Sequence, residues 1–160
     1  MDKRKEIFDN FLSQKKSERI LICDKNKKIL NFFLDNCSHN KIIHIKDNKK
    51  LLEVLKTKNV KKIVLVLYTN EKNIDLKIRL IAQLKLFFPG DFFAIRILNN
   101  NNKIKDVYYK VLISLGFKFL LDIKINDDFC FFYKYNISNY KSVPDWLNSD
   151  NWANPQLWEK

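Results

Sequence analysis

Glycine is nearly missing from this chain. Among 160 residues there are two, Gly90 and Gly116. Phosphate-cradling P-loops, dinucleotide-binding G-x-G-x-x-G turns and the G-x-S-x-G nucleophile elbow each need several glycines close together, where backbone must approach a ligand or turn sharply. None of them can be built here, and Ser114 and Ser142 have no supporting pattern as nucleophiles. Both glycines also have local tasks. Gly90 follows Pro89 in a turn dipeptide, and Gly116 sits where a left-handed helix C-cap belongs. Histidine is as scarce, with His39 and His44 only. Cys37-Ser38-His39 has a C-x-H spacing, but no second pair follows, so no metal centre is expected and both histidines read as surface or edge residues. The three cysteines, Cys23, Cys37 and Cys130, are odd in number and unrelated in spacing. They predict free thiols in a reducing cytoplasm rather than a disulfide framework, with Cys23 and Cys130 acting as small buried hydrophobes in apolar runs. No apolar run approaches the ~20 residues of a membrane span. The opening MDKRKEIFDN is charged and lacks an apolar core, so no signal peptide is expected.

What is present is the composition of a globular α/β protein, 46% hydrophobic and 30% charged. The length predicts one domain over residues 1–138 and a separate C-terminal arm over 139–160. The net charge of +12 is uneven: residues 1–62 hold 17 basic and 8 acidic side chains, the remainder 13 and 10. Basic clusters fall at Lys3–Lys5, Lys15-Lys16, Lys25–Lys28 and Lys49-Lys50. One reading is a basic N-terminal half that attracts nucleic acid or another anionic partner. The other is a solvated face in a chain rich in Lys, Asn, Ile and Phe, the residues favoured by A/T-rich codons. No nucleic-acid-binding signature accompanies the charge, and the nearby Phe8, Phe11, Phe32 and Phe33 follow core stripes.

The hydrophobic period changes repeatedly along the chain. KRKEIFDNFLSQKK places Ile7, Phe8, Phe11 and Leu12 on one face of a lead-in helix. RILIC, before Asp24, is a buried strand. KKILNFFLDNC is helical, with Ile29, Leu30, Phe33, Leu34 and Cys37 in its stripe. KIIHI, before Asp47, is a strand; KKLLEVLKTK a helix; KKIVLVLY the most apolar strand. A helix from about Asn73 to Phe88 stops at Pro89-Gly90, and DFFAIRIL is the fourth strand. After the polar run Asn99–Asn102, Ile104, Val107, Tyr108, Val111, Leu112 and Leu115 mark an amphipathic helix. FKFLLDI and FCFFYKY then flank Asn126-Asp127-Asp128 as a β-hairpin. The alternation predicts a Rossmann-like α/β fold, a mostly parallel sheet with helices on both faces. The hairpin should end that sheet with an antiparallel strand.

LVLYTN…LIAQLKLFFPGDFFAIRI resembles the central strand, helix and "L-x-P-G-G" turn of class I S-adenosylmethionine-dependent methyltransferases. VLISLGFKFLLDI…FCFFYKY resembles their closing helix-to-hairpin passage. The resemblance covers roughly residues 60–135 and implies that fold, shortened by one strand–helix unit between Asp47 and Lys62. The second strand, carrying Lys41, His44 and Lys46, would then be a sheet edge. The family's glycine-rich cofactor loop is replaced by CDKNKK, Cys23 to Lys28. By the resemblance, Asp47 matches the acidic residue that holds the cofactor's ribose, and Asp24 closes the first strand at the ligand-binding edge. Both aspartates also read as helix N-caps. YKSVPDWLN…WANPQLW is similar to the C-terminal signature of a small family of uncharacterised bacterial proteins, which implies membership and no chemistry.

That closing stretch holds every tryptophan: Trp146, Trp152 and Trp158. Asn154-Pro155 fits an N-cap and first residue of a short helix. Such apolar side chains are not left in water together, so an ordered arm is expected, packed on its own domain, on a protein partner or on a second copy. Three functions follow: a non-catalytic methyltransferase-like scaffold acting as an interaction module without a cofactor; a methyltransferase binding S-adenosylmethionine through an atypical glycine-free loop; and a basic nucleic-acid-associated protein.

Overall fold

The computed structural model describes residues 3–13, 18–37, 41–69, 71–98 and 107–135. The elements in chain order are α1 (Lys3–Ser13), β1 (Arg19–Cys23), α2 (Leu30–Asn36), β2 (Lys41–Ile45), α3 (Asn48–Thr57) and β3 (Lys62–Tyr68). They continue with α4 (Ile74–Phe87), β4 (Asp91–Leu98), α5 (Val107–Ser114), β5 (Phe117–Ile125) and β6 (Asp128–Tyr135). The six strands form one sheet in the order β2-β1-β3-β4-β6-β5. The β1–β2, β1–β3 and β3–β4 pairs are parallel; β6 is antiparallel to both its neighbours. Among the described residues no helix is long and apolar enough to cross a membrane.

The direction of each crossover explains the layers. The chain steps outward from β1 to β2, then back past β1 to β3 and onward to β4. Right-handed crossovers require helices on opposite faces for opposite directions of travel. Accordingly Phe8, Phe11, Ile29 and Phe33 of the α1–α2 side pack on Ile20, Ile22, Val64, Val66, Phe93 and Ile95. Leu51, Leu80, Ile81, Leu84, Tyr108 and Leu112 of α3, α4 and α5 pack on Leu21, Ile63, Leu65, Leu67 and Phe92. All seven side chains of β3 are buried because both faces are covered. β2 is the sheet edge, with only Ile45 of its five residues buried.

The other end differs from the sequence expectation. The antiparallel strand does not terminate the sheet. The crossover through α5 overshoots by one position, leaving β5 at the edge, and the hairpin returns β6 into the gap beside β4. The turn is shorter than the three residues expected. Asn126 and Asp127 alone form it, with φ of 47° and 68°, the paired left-handed geometry of the commonest two-residue hairpin. A bulge between Phe119 and Leu121 moves the β5 side chains from the α5 face to the α1 face. Gly116 has φ 89°, and its N–H donates to the Ile113 carbonyl at 3.0 Å, closing α5 as a left-handed cap. Leu34, placed on the α2 stripe, is instead 51% exposed. The lead-in helix ends at Ser13. The asparagine run, His39 and the tryptophan arm lie outside the described residues.

Candidate functional site

In an open α/β sheet, ligands bind beyond the carboxyl ends of the strands, where the chain reverses its direction of travel. Here that switch point lies between β1 and β3. Their neighbouring ends carry Asp24, directly after β1, and Tyr68, the last residue of β3.

Asp24 is fully buried. Its Oδ1 accepts a hydrogen bond from the Asn26 N–H at 3.1 Å and its Oδ2 one from the Ile29 N–H at 2.9 Å. The Tyr68 hydroxyl donates to Oδ1 across the crevice. The Asp24 carbonyl is 2.8 Å from His44 Nε2 on β2. The carboxylate therefore folds the CDKNKK loop onto its own strand, with Lys27 held at φ 58°. Burial first, then the hydrogen bond and charge of Asp24, push the Tyr68 phenol far above its ordinary value, so it remains a donor throughout the neutral range. Asp24 is not the N-cap of α2. That position is Ile29, which makes no side-chain cap bond, and Asp24 reaches it from five residues away. Asp47 is the N-cap of α3: its exposed carboxylate accepts from the Lys49 N–H at 3.0 Å.

A second polar cluster occupies the opposite face of the same edge. Asn48 Oδ1 accepts from Cys23 Sγ at 3.1 Å and from Lys77 Nζ at 3.2 Å. Lys77 Nζ is also 3.5 Å from Glu71 Oε1, and the Tyr108 hydroxyl donates to Glu71 Oε2 at 3.0 Å. Lys77 is 4% exposed, which its charge tolerates only because these partners surround it. Burial dominates the titration of its neighbours: the Cys23 thiol is pushed up to about 11, and the Tyr108 phenol well above its usual range. The sequence reading missed this cluster. Its signal was a lysine on the apolar stripe of α4, one turn before Leu80 and Ile81.

Of the basic clusters, Lys15-Lys16 and the side chains of 3–5 lie outside the described residues, and those after β1 and β2 meet at one margin. Lys28 pairs with Asp128 at 2.5 Å, tying the loop after β1 to the hairpin. Lys25, Lys27, Lys46, Lys49 and Lys50 are exposed and follow the adjacent ends of β1 and β2, so they share one margin with Asp47. Elsewhere, buried Arg96 on β4 lies 4.5 Å from the Phe131 ring and 5.8 Å from that of Tyr133, a cation–π arrangement inside the fold. Among the described residues no cluster of His, Cys, Asp and Glu could hold a metal ion. Trp146, Trp152, Asn154, Pro155 and Trp158 are outside the described residues.

Residues 2–160 match the family of unknown function DUF6231, and the chain belongs to it. No curated protein is similar to it in sequence. Solved structures similar to it include the fibrillarin pre-rRNA processing protein of Methanococcus jannaschii, at 16% identity and TM-score 0.47, covering 76% of this chain and 67% of that one. Another is the release-factor-specific protein-(glutamine-N5) methyltransferase of Alicyclobacillus acidocaldarius, at 13% and 0.47, covering 83% and 90%. A third is an rRNA methylase of Streptococcus thermophilus, at 11% and 0.46, covering 84% and 98%.

Proposed function

We propose that this member of DUF6231 is a methyltransferase-like scaffold that works by contact with a partner and transfers no methyl group. The observation that carries this reading is the hydrogen bond between Asp24 and Tyr68 across the switch-point crevice. A cofactor edge needs free backbone amides and an acceptor turned toward the ligand. Here the aspartate after β1 spends both oxygens on its own loop and on the end of β3, so the loop is held shut by a side chain. Three buried free thiols suit the reducing cytoplasm in which we place the protein.

Thermal unfolding with and without S-adenosylmethionine and S-adenosylhomocysteine tests the proposal. The midpoint is expected to stay fixed at millimolar ligand. A dose-dependent rise, approaching about 2.7 kcal/mol at 100 times the dissociation constant, would overturn it. That result would favour an S-adenosylmethionine enzyme that opens the Asp24 loop and uses exposed Asp47.

One observation favours a second reading, association with nucleic acid: five exposed lysines share the margin of β1 and β2. Affinity for a single- or double-stranded oligonucleotide that falls steeply with salt, and falls less steeply after charge reversal at Lys25, Lys49 and Lys50, is its expected signature. Affinity indifferent to those three changes would exclude this margin as the binding face.

A further inference from the structure

The opposite, amino-terminal edge of the sheet carries a feature that the preceding readings do not use. An open groove of about 620 Å³ lies between the C-terminal halves of α3 and α4, lined by Leu52, Leu55, Val60, Leu84, Phe87 and Phe88. Phe87 is 80% exposed, Leu86 beside it 75% and Leu52 40%. Leu80, Leu84 and Phe87 follow one helical stripe; the first two are buried in the core on this face of the sheet, and the last lies outside it. Large apolar side chains grouped at one exposed site mark a surface that something covers.

We infer that the groove is the seat of the tryptophan-bearing stretch, residues 142–158, of this chain's own C-terminal arm. Three observations select that occupant. The first is where the arm starts. β6 ends at Tyr135, which lines a neighbouring cavity of about 470 Å³ together with Phe88 and Pro89, and the same two residues line the groove. The second is length. Ten residues lie between Tyr135 and Trp146, enough for the chain to span up to roughly 36 Å when extended, whereas the groove adjoins the cavity that Tyr135 lines. The third is charge. In a chain of net charge +12, the stretch 142–158 holds Asp145 and Asp150 and no basic side chain, while Lys141, Glu159 and Lys160 flank it. The groove contributes Lys56 and Lys58 and no acidic one. A segment with apolar anchors and acidic spacers therefore meets an apolar floor with a basic rim.

Because all three tryptophans lie in the arm, their fluorescence in the full-length chain reports its docking alone. Emission blue-shifted from that of indole in water, with weak acrylamide quenching, is expected for the monomer. Phe87→Ser and Leu52→Ser should each shift emission to the red and raise quenching at least twofold. Leu76→Ser, at a 62% exposed position of the same helix outside the groove, should change neither. Both groove positions are exposed, so circular dichroism should remain that of the folded chain. Red-shifted, freely quenched tryptophans in the parent chain would overturn the inference. So would a blue shift that Phe87→Ser and Leu52→Ser leave untouched, which places the arm elsewhere. A blue shift that vanishes on dilution as a dimer dissociates by sedimentation would also overturn it, by assigning the groove to a second copy.

Discussion

Removing a single hydroxyl tests the crevice directly. Tyr68→Phe keeps the ring that packs in the α1–α2 core and deletes only the donor to Asp24. A net hydrogen bond to a charged group contributes about 1.5–3 kcal/mol, and the remaining cost is an under-solvated buried carboxylate. Asp24 keeps the Asn26 and Ile29 amides, which limits the penalty to about 2 kcal/mol on that scale. With a urea dependence of about 1–3 kcal/mol per molar, the unfolding midpoint should fall by roughly 1 M. The thermal midpoint should fall by about 4–8 °C. Asp24→Asn should cost more, about 3 kcal/mol, since an amide placed in this site sets its own N–H donors against backbone N–H groups. The decisive quantity is the coupling in the Tyr68→Phe, Asp24→Asn double-mutant cycle, expected at about 1–3 kcal/mol for groups in direct contact. A Tyr68→Phe chain within about 0.5 kcal/mol of the parent, together with additive single effects, would refute the claim that this bond closes the crevice.

Two further outcomes follow from the interior. Burial pushes the thiols of Cys23 and Cys130 up to about 11 from an ordinary 9.0. Because the folded value lies above the unfolded one, this contribution to stability is complete below pH 9 and is lost as pH rises toward 11, at up to about 1.4 kcal/mol per pH unit for each thiol. Urea midpoints should therefore hold between pH 7 and 8 and decline above 9; a flat profile to pH 10.5 would contradict the burial of these groups. Gly90→Ala should destabilise by about 1–3 kcal/mol through overpacking, because an added Cβ would sit 2.2 Å from the Lys61 carbonyl oxygen, a backbone atom; an unchanged thermal midpoint would show that this approach relaxes freely.

The fold was legible in the sequence because its strands are short apolar runs and its helices keep a clear stripe, so every described element lies where periodicity put it. The order of the last two strands was not legible. A hairpin signal fixes which strands pair, but whether the second lies inside or outside the first depends on how far the crossover through α5 travels. The site divides along the same line. Asp47 read as an N-cap by immediate adjacency to α3, and it is one. Asp24 read the same way and is not one, because its partners are Ile29, five residues on, and Tyr68, forty-four residues on, and only the pairing of β1 with β3 brings the latter within reach. Lys77 stands as a charge out of place on an apolar stripe, yet nothing in the pattern names Asn48 as its hydrogen-bond acceptor and Glu71 as its counter-charge. The scarcity of glycine now has a physical counterpart. A loop that cannot use glycine to approach a ligand uses an aspartate to approach itself. On the proposed reading that exchange closes the edge where an open α/β sheet receives a ligand, and it shifts attention to the exposed apolar groove on the far side of the sheet.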